Sequence, residues 1–108
     1  MPRKKSKSQN WRRTRDYRIW RVKCIRRDKV CVVCGSRQNR HVHHLESGAY
    51  NPELRFDPDN GVVLCGHHHL GTFHGLYKGS TRKKTTKKDF IHFMKMIKQI
   101  KNETLLTH

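Results

Sequence analysis

The feature that most constrains the fold of this chain is a set of cysteine and histidine residues in its middle third. Cys31 and Cys34 form one short-spaced pair, and Cys65 is followed closely by the histidine run 67–69. Two such groups, separated by a loop of roughly thirty residues, can supply the four ligands of one tetrahedral zinc ion. Several histidines, including those at 43–44, then remain in the same region. The segment therefore carries more metal-binding chemistry than one structural zinc uses.

The small apolar content of the chain makes a metal site energetically important. The chain has 108 residues, of which 33% are hydrophobic, and this predicts a single domain with a thin core. A structural zinc ion supplies an apparent ~10–16 kcal/mol in small domains, which is enough to decide whether such a chain folds. We therefore expect zinc to be part of the fold.

The four cysteines could alternatively form disulfides, but the N-terminus argues against this. The segment 1–5 is basic and no apolar run follows it, so we expect no signal peptide and an intracellular protein. Paired cysteine spacing in an intracellular protein favours metal binding. No stretch approaches the roughly 20 apolar residues of a membrane span, so we expect no membrane association.

The net charge of +17 is distributed unevenly along the chain. Residues 1–29 hold 13 Lys and Arg against two Asp, a net of +11, and residues 76–108 have a net of +7. Residues 30–75, which contain the metal-binding side chains, have a net of −1. Basic flanks around a nearly neutral centre are typical of proteins that bind a polyanion, and nucleic acid is the first candidate. A solubilising surface is the alternative, but the excess is larger than solubility requires.

Periodicity and composition predict the order of elements in the N-terminal half. Residues 1–10 are polar and basic, and we expect a disordered basic arm there. Residues 11–28 predict a basic helix, with Cys24 on its apolar face as a buried thiol. A zinc knuckle is expected at 30–35, and the alternating segment 40–45 predicts a strand. Along that strand, the histidines at 41 and 43 share one face and the histidine at 44 points to the other.

A second strand and two further helices are predicted in the C-terminal half. A long loop rich in Pro, Gly, Asp and Asn spans 46–60, followed by a strand at 61–65 and a short helix ending near Tyr77. A basic connection leads to a helix at 86–102, which starts at a capping-box pattern. Its apolar residues recur at helical spacing and are expected to face the core: Phe90, Phe93, Met94, Ile97 and Ile100.

An ordered set of short segments over roughly residues 17–95 carries a family resemblance. The segments are Trp20-Arg21, Arg27-Asp28, His43-His44-Leu45, Pro52–Asp57, Asn60–Cys65, His69, Phe73-His74 and Tyr77. This set resembles the HNH endonucleases, in particular small free-standing phage enzymes that include homing-type ones. The resemblance implies a small α+β fold with a ββα-metal core and a structural zinc, flanked by N- and C-terminal helices. It makes 11–108 a single nuclease domain, with the zinc and ββα-metal core at 29–77.

The resemblance also implies roles for four residues in phosphodiester hydrolysis. His44 would be the general base that deprotonates the attacking water, which suits an imidazole with an ordinary pKa of about 6.5. His43 and His69 would hold a single divalent ion, and Asn60 would fix the loop and orient the base. Many relatives have Asp where this chain has His43, so magnesium, manganese, nickel and zinc all remain open as the catalytic ion.

The chain departs from the family pattern around the zinc ligands. The implied structural zinc site is Cys31, Cys34, Cys65 and His68, where relatives more often have a fourth Cys. Relatives also often place a second histidine four residues after the one in the catalytic helix, whereas here His74 follows His69 by five. A shifted register would make His69 the fourth zinc ligand instead of His68. His74 is a further candidate ligand or phosphate contact, while His41 and His67 are interpreted as surface or packing residues.

Double-stranded DNA is the partner that the resemblance and the basic flanks predict. A monomer with one such site would nick one strand, and a weak dimer could cut both. We expect no obligate protein partner, and a cytoplasmic, phage-encoded protein in a bacterial host. The sequence leaves open the target site, the mode of cutting and the biological role (homing, packaging or host-DNA degradation). The expected DNA contacts are Arg12, Arg13, Arg15, Arg18, Arg21, Arg55, Lys83, Lys84, Lys87 and Lys88.

Two other function classes fit parts of the sequence. The histidines at 43–44 could both be satisfied strand residues, which would make the protein a catalytically inactive, zinc-stabilised nucleic-acid-binding module. An RNA-binding ribosomal or regulatory zinc protein fits the charge, but it leaves the order of histidines and Asn60 unexplained. Cleavage in the presence of an added divalent metal distinguishes the enzyme from either binding protein.

Overall fold

The structure, a computed structural model, describes residues 10–80 and 83–106, with side chains described as far as 101. It is a small α+β fold in which three helices surround a two-stranded antiparallel sheet, which confirms the predicted class. Of the predicted basic arm, residues 1–9 lie outside the described residues. The elements are α1 (Arg15–Asp28), β1 (Arg40–His44), β2 (Gly61–Cys65), α2 (His67–Tyr77) and α3 (Lys87–Leu106), with short 3₁₀ turns at Asn10–Arg13 and Pro58–Asn60.

Helix α1 begins four residues later than the predicted 11–28 helix. Thr14 has an extended backbone, and its hydroxyl accepts a hydrogen bond from the Tyr17 N–H at 3.2 Å, so Thr14 is the N-cap. The preceding residues form the 3₁₀ turn instead of a further helical turn. This turn folds Trp11 back into the protein, where it is buried. The burial of one large aromatic side chain therefore explains the change of backbone at this point.

The sheet has two differently used faces. In the register of the strands, His43 pairs with Val62 and His44 with Gly61. Val42 and Val63 face α1, where they pack with Trp20 and Cys24, and the predicted buried thiol is confirmed. Successive side chains of a strand alternate between faces, so the neighbours of Val42 and Val63 point to the opposite side. Val62 and Leu64 lie on that opposite face and belong to a second apolar cluster with Cys31, Leu45 and Cys65.

A charged pair at the end of α1 joins this helix to β2. Arg27 donates to the carbonyl oxygens of Pro58 at 2.7 Å and Gly61 at 2.6 Å. The Asp28 carboxylate accepts from the Val63 N–H at 3.0 Å and pairs with Arg27 at 2.8 Å. Burial alone would raise the pKa of Asp28, but the bonds from Arg27 and Val63 outweigh it and lower the pKa. The carboxylate thus stabilises the contact between helix and sheet in its ionised form.

Helix α3 starts as the sequence predicts but packs less completely. Thr86 and Asp89 form reciprocal capping bonds, since each side chain accepts from the other's backbone N–H. The helix continues to Leu106, beyond the predicted end at 102. Phe93 is fully buried, but Ile100 is 50% exposed, so the prediction of a core-facing stripe is wrong toward the C-terminal end. Along the part of the chain that the structure describes, none of the helices combines the length and apolar character needed to cross a membrane.

Replacing Asp28 by alanine is expected to lower the free energy of unfolding by roughly 1.5–3 kcal/mol at neutral pH, because the charged acceptor of the partly buried Val63 N–H bond is lost. The folded-state pKa of Asp28 lies below the unfolded value of 3.8, so the stabilisation is complete above that pH. It is lost as the pH falls through the folded pKa. Urea titration at pH 7 with zinc present measures the change.

Asp16→Ala is the matched control, because Asp16 lies on the exposed face of the same helix. Its unfolding free energy is expected to change by less than about 0.5 kcal/mol. Equal losses for the Asp16 and Asp28 variants would show that the link between α1 and β2 does not depend on the Asp28 carboxylate.

Candidate metal sites and adjoining cleft

Three cysteines and one histidine converge at the end of the sheet to form the first candidate metal site. The ligand atoms of Cys31, Cys34, Cys65 and His68 all lie within 4.8 Å of one another. The sulfurs of Cys34 and Cys65 are 3.8 Å apart, which is about the edge of a tetrahedron with zinc–sulfur bonds of about 2.3 Å. It is far longer than a disulfide bond of about 2.05 Å. This Cys₃His cluster could hold a structural metal such as zinc.

The backbone around Cys31 also suits a thiolate ligand. The turn after it places Gly35 at a φ of 77°, a left-handed conformation that glycine adopts freely, and the Gly35 N–H donates to the Cys31 carbonyl oxygen. Burial acts to raise the pKa of Cys31, but backbone N–H groups of Cys65, Cys34 and Val33 outweigh it and lower the pKa. Thiolates are the form in which cysteine binds zinc.

Three histidines form a second candidate metal site, in which His43 lies on the face of the sheet opposite α1. One ring nitrogen from each of His43, His69 and His74 lies within 4.8 Å of the other two. Nε2 of His43 and Nδ1 of His74 are buried, and each has no hydrogen-bond partner among the described residues. A buried polar atom without a partner is costly, and a bound cation would remove that cost. The donor set therefore fits a metal ion.

Burial keeps these three imidazoles neutral. It lowers the pKa of His43 well below the ordinary value, and the charges of His69, His74 and His44 add to this effect. Burial likewise lowers the pKa of His69 to about 3, with smaller contributions from His74, His41 and His44. Burial also lowers the pKa of His74, with the charge of Lys78 adding to the effect. At neutral pH the nitrogen lone pairs are therefore available to a metal.

The wide helix α2 explains how histidines five residues apart reach the same site. Its residues follow a π-helix, and the Lys78 N–H donates to the Phe73 carbonyl oxygen at 2.8 Å, a bond that spans five residues. Residues five apart are therefore nearly aligned along the helix. The rings of His69 and His74 lie 5.2 Å and 5.3 Å from the ring of His43. Phe73 remains fully buried beside them.

The same helix separates the two neighbouring histidines that the sequence leaves as alternatives. His68 lies with the thiols, where its Nδ1 is 3.2 Å from the sulfur of Cys65. His69 lies with His43 and His74 in the second cluster. This is the arrangement predicted for an unshifted register. The i→i+5 geometry of α2 accommodates the extra residue before His74 without moving His68 out of the first cluster.

His44 lies on the opposite face of β1, between two tryptophans. Its ring stacks on Trp20 at 4.0 Å with an interplanar angle of 11° and meets Trp11 edge-on at 5.4 Å. Its Nε2 is 2.8 Å from the Arg55 carbonyl oxygen. A carbonyl only accepts, so Nε2 carries the proton and Nδ1 keeps a free lone pair.

The pKa of His44 differs from the ordinary value of about 6.5 that the sequence alone leads one to expect. Burial lowers the pKa of His44 to about 4, the Arg55 carbonyl acts to raise it, and the charges of Arg12 and Arg55 lower it further. The imidazole is thus neutral throughout the physiological range. It is also a weaker base than an exposed histidine.

Asn60 joins both ends of the long loop. Its side-chain oxygen accepts from the Glu46 N–H at 2.7 Å, and its amide donates to the carbonyl oxygens of Glu46 at 3.0 Å and Leu54 at 3.2 Å. Leu54 precedes Arg55, whose carbonyl accepts from His44. Asn60 therefore acts on the ring of His44 through the loop backbone, and its own contacts are with the main chain.

Side chains from both faces of β1 line one cleft of about 600 Å³. His43, His44, His69 and His74 all line it, and the basic residues on its walls are Arg12, Arg21, Arg40 and Lys83. Three of these cations belong to the predicted DNA contacts, and Arg40 was not predicted. The exposed remainder of the predicted set lies outside the lining of the cleft: Arg13, Arg15, Arg18, Lys84, Lys87 and Lys88.

Arg55 has a different position from that expected of a DNA contact. Its side chain is half-buried, and its Nε donates to the Gly48 carbonyl oxygen at 3.2 Å. The guanidinium carbon lies 4.6 Å from the centre of the Trp11 ring. Arg55 therefore packs on Trp11 and holds the loop, which a local sequence pattern does not predict, because the contact joins residues far apart in the chain.

The sequence interpretation also missed the contacts of His41. This residue was interpreted as a surface or packing histidine, yet its Nδ1 lies 2.9 Å from Nδ1 of His69. The alternation of β1 places His41 on the same face as His43, and this alternation is the sequence signal that could have indicated the contact.

No protein-family model, no curated protein and no solved structure matches this chain. The chemistry of the site is therefore interpreted from its own residues.

Replacing Cys34 by serine is expected to abolish tight zinc binding and cooperative folding, since the first cluster would lose one of its four ligands. Metal analysis of the purified protein should find less than one zinc per chain, and circular dichroism should show loss of helix. Cys24→Ala is the matched control, because Cys24 is a buried thiol outside the cluster. Zinc content that falls equally in both variants would contradict the assignment.

Proposed function

We propose that this protein is a metal-dependent endonuclease of the HNH type that hydrolyses phosphodiester bonds of double-stranded DNA. In this proposal β1, the loop, β2 and α2 form the ββα-metal core. The observation that carries the proposal is the convergence of His43, His69 and His74 in the basic cleft that His44 also lines, with an unpartnered nitrogen on His43 and on His74. The residue order that resembles HNH enzymes supports the same interpretation.

His44 takes the proton of the attacking water in this mechanism. The Arg55 carbonyl holds the proton of His44 on Nε2, so Nδ1 is the atom that accepts. Stacking on Trp20 fixes the plane of the ring, and a fixed orientation is worth a large part of the rate in a positioned proton transfer. Asn60 keeps the loop that carries the Arg55 carbonyl in place.

His43, His69 and His74 would hold the divalent ion. When bound, the ion supplies positive charge that stabilises the phosphate and the leaving 3′ oxygen. Three neutral imidazoles form a softer donor set than carboxylates, and this favours nickel or zinc over magnesium or manganese. The three side chains come from β1 and from two positions on α2, so the site depends on the junction between β2 and α2.

The cations of the cleft would bind the phosphate backbone. Arg12, Arg21, Arg40 and Lys83 surround the histidines, and such contacts position a duplex without reading its sequence. The Cys₃His cluster would carry a structural zinc that fixes the start of α2. With one hydrolytic site per chain, a monomer would nick one strand.

The second candidate is an inactive, zinc-stabilised DNA-binding module. The observation that favours it is the packing of His44 between Trp11 and Trp20, where the pKa is lowered to about 4. A histidine in such surroundings can act as a packing residue alone. Cleavage assays decide between the two candidates.

His44→Ala is expected to reduce nicking of supercoiled plasmid by roughly 10²–10⁴-fold, the usual contribution of a positioned general base. The assay uses zinc-loaded protein with EDTA, magnesium, manganese or nickel, and the wild type is expected to nick only with added metal. Circular dichroism and zinc content show whether the variant keeps its fold.

His92→Ala provides the control, because His92 is an exposed histidine on α3. It should nick at the wild-type rate. If the wild type shifts DNA in a gel but cuts with none of the metals, the binding module is the better description. If the wild type cuts and His44→Ala cuts equally well, the nuclease stands and the base is wrongly assigned.

DNA affinity is expected to fall steeply with salt. Four cations on phosphates give a slope of roughly −3 to −4 for log K against log salt concentration, because each contact releases counterions. Lys83→Ala should reduce the slope by about one. Lys98→Ala, on α3 outside the cleft, should leave it unchanged. Fluorescence anisotropy with a labelled duplex measures both, and a flat salt profile would contradict binding through the cleft.

A further inference from the structure

A chain of hydrogen bonds leads from the histidine site to the surface of the protein. Nδ1 of His69 lies 2.9 Å from Nδ1 of His41, and Nε2 of His41 lies 3.2 Å from the side-chain oxygen of Asn39. His41 is not part of the group of three converging nitrogens. It contacts the group through Nδ1 of His69.

The side-chain oxygen of Asn39 fixes which atoms donate and which accept along these hydrogen bonds. The amide oxygen of Asn39 only accepts, so Nε2 of His41 carries a proton and Nδ1 of His41 has a lone pair. That lone pair must accept, and Nδ1 of His69 is the atom that donates to it. The remaining nitrogen of His69, Nε2, is then unprotonated, which is the state that a metal ligand needs.

We propose that His41, held by Asn39, is a positioning residue that sets the tautomer and ring orientation of His69 for metal binding. The proposal rests on the proposed catalytic ion site. Metal-bound histidines generally donate their second N–H to a fixed acceptor, and loss of such an acceptor typically weakens metal binding 10–100-fold. Here the acceptor is a second histidine, supplied by the residue two positions before His43 on the same strand face.

The local backbone holds Asn39 in place for this role. Asn39 has a φ of 50°, a left-handed conformation that asparagine tolerates better than most residues. Its carbonyl oxygen accepts from the Gly66 N–H at 2.9 Å. A Cβ atom on residue 66 would collide with the Asn39 amide group and displace it. The start of α2 and the start of β1 are thus joined at the residue that ends the hydrogen-bond chain.

The relay also satisfies the close contact between the two half-buried rings. The His41 and His69 rings meet edge-on, with centroids 5.1 Å apart. One ring donates and the other accepts, so neither needs a charge to satisfy the shared contact. A side chain without an acceptor at position 41 would leave the Nδ1–H of His69 without its partner.

The test is titration of zinc-loaded protein with Ni²⁺ by isothermal calorimetry, with zinc content checked afterwards. His41→Phe keeps an aromatic ring but removes the acceptor, and it is expected to weaken Ni²⁺ binding 10–100-fold. His41→Gln restores an acceptor oxygen and is expected to recover most of the affinity. His67→Phe, an exposed histidine on α2, is the matched control and should bind as the wild type does.

The outcomes separate this proposal from the proposed function. If the wild type and His69→Ala both bind no second ion, the ion site itself is wrong and the relay is overturned with it. If the wild type binds Ni²⁺ and His41→Phe binds equally well, the site stands and the relay alone is overturned. A loss in His41→Phe that His41→Gln does not restore would assign His41 to packing and also overturn the relay.

Nitrogen NMR of the histidine rings gives a second readout that does not depend on affinity. In the zinc-loaded protein, His41 is expected as the Nε2–H tautomer and His69 as the Nδ1–H tautomer. Asn39→Asp keeps the acceptor oxygen and should preserve both tautomers, whereas Asn39→Ala should not. Finding His41 protonated on Nδ1 in the wild type would contradict the direction of the relay.

Discussion

The junction between β2 and α2 is the constraint on which the rest of the structure depends. Cys65 ends the strand, and His68 and His69 follow on the first turn of the helix, in two different clusters. A structural metal held by the Cys₃His cluster would tie this turn to the turn at Cys31 and so fix the start of α2. The π-helical geometry then determines where His74 lies. A few residues of chain thus couple the stability of a thin core to the geometry of a second site.

Strand β1 divides the chemistry of the cleft between its two faces. His43 faces α2 and its histidines, while His44 faces the tryptophans of the N-terminal turn and α1. The period of two in a strand makes this separation unavoidable for neighbouring residues. Because β1 ends at His44 and the loop turns back through Asn60, both rings still line one cleft. In the proposed function, ion binding and proton transfer would therefore lie side by side and would use different nitrogens.

Four histidines that line the cleft are uncharged because they are buried, whereas the chain as a whole is strongly basic. The protein carries +17, yet the histidines of the two faces are held uncharged, mainly by desolvation. A cation would otherwise be repelled by its ligands as well as by the surrounding arginines. Neutral imidazoles and guanidinium groups both line the cleft, and in the proposed function the imidazoles would bind the metal and the guanidinium groups the polyanion.

The family resemblance implied residues of the two clusters. Local patterns in the sequence were enough to predict both strands, the capping box at Thr86 and the buried thiol of Cys24. Each depends on short-range periodicity, spacing or side-chain chemistry, which a chain carries without its fold. Tertiary structure alone decided that Trp11 folds back onto His44, that Arg55 packs rather than projects, and that His41 meets His69. These contacts join segments distant in sequence, and their partners are chosen by which surfaces the assembled core leaves adjacent.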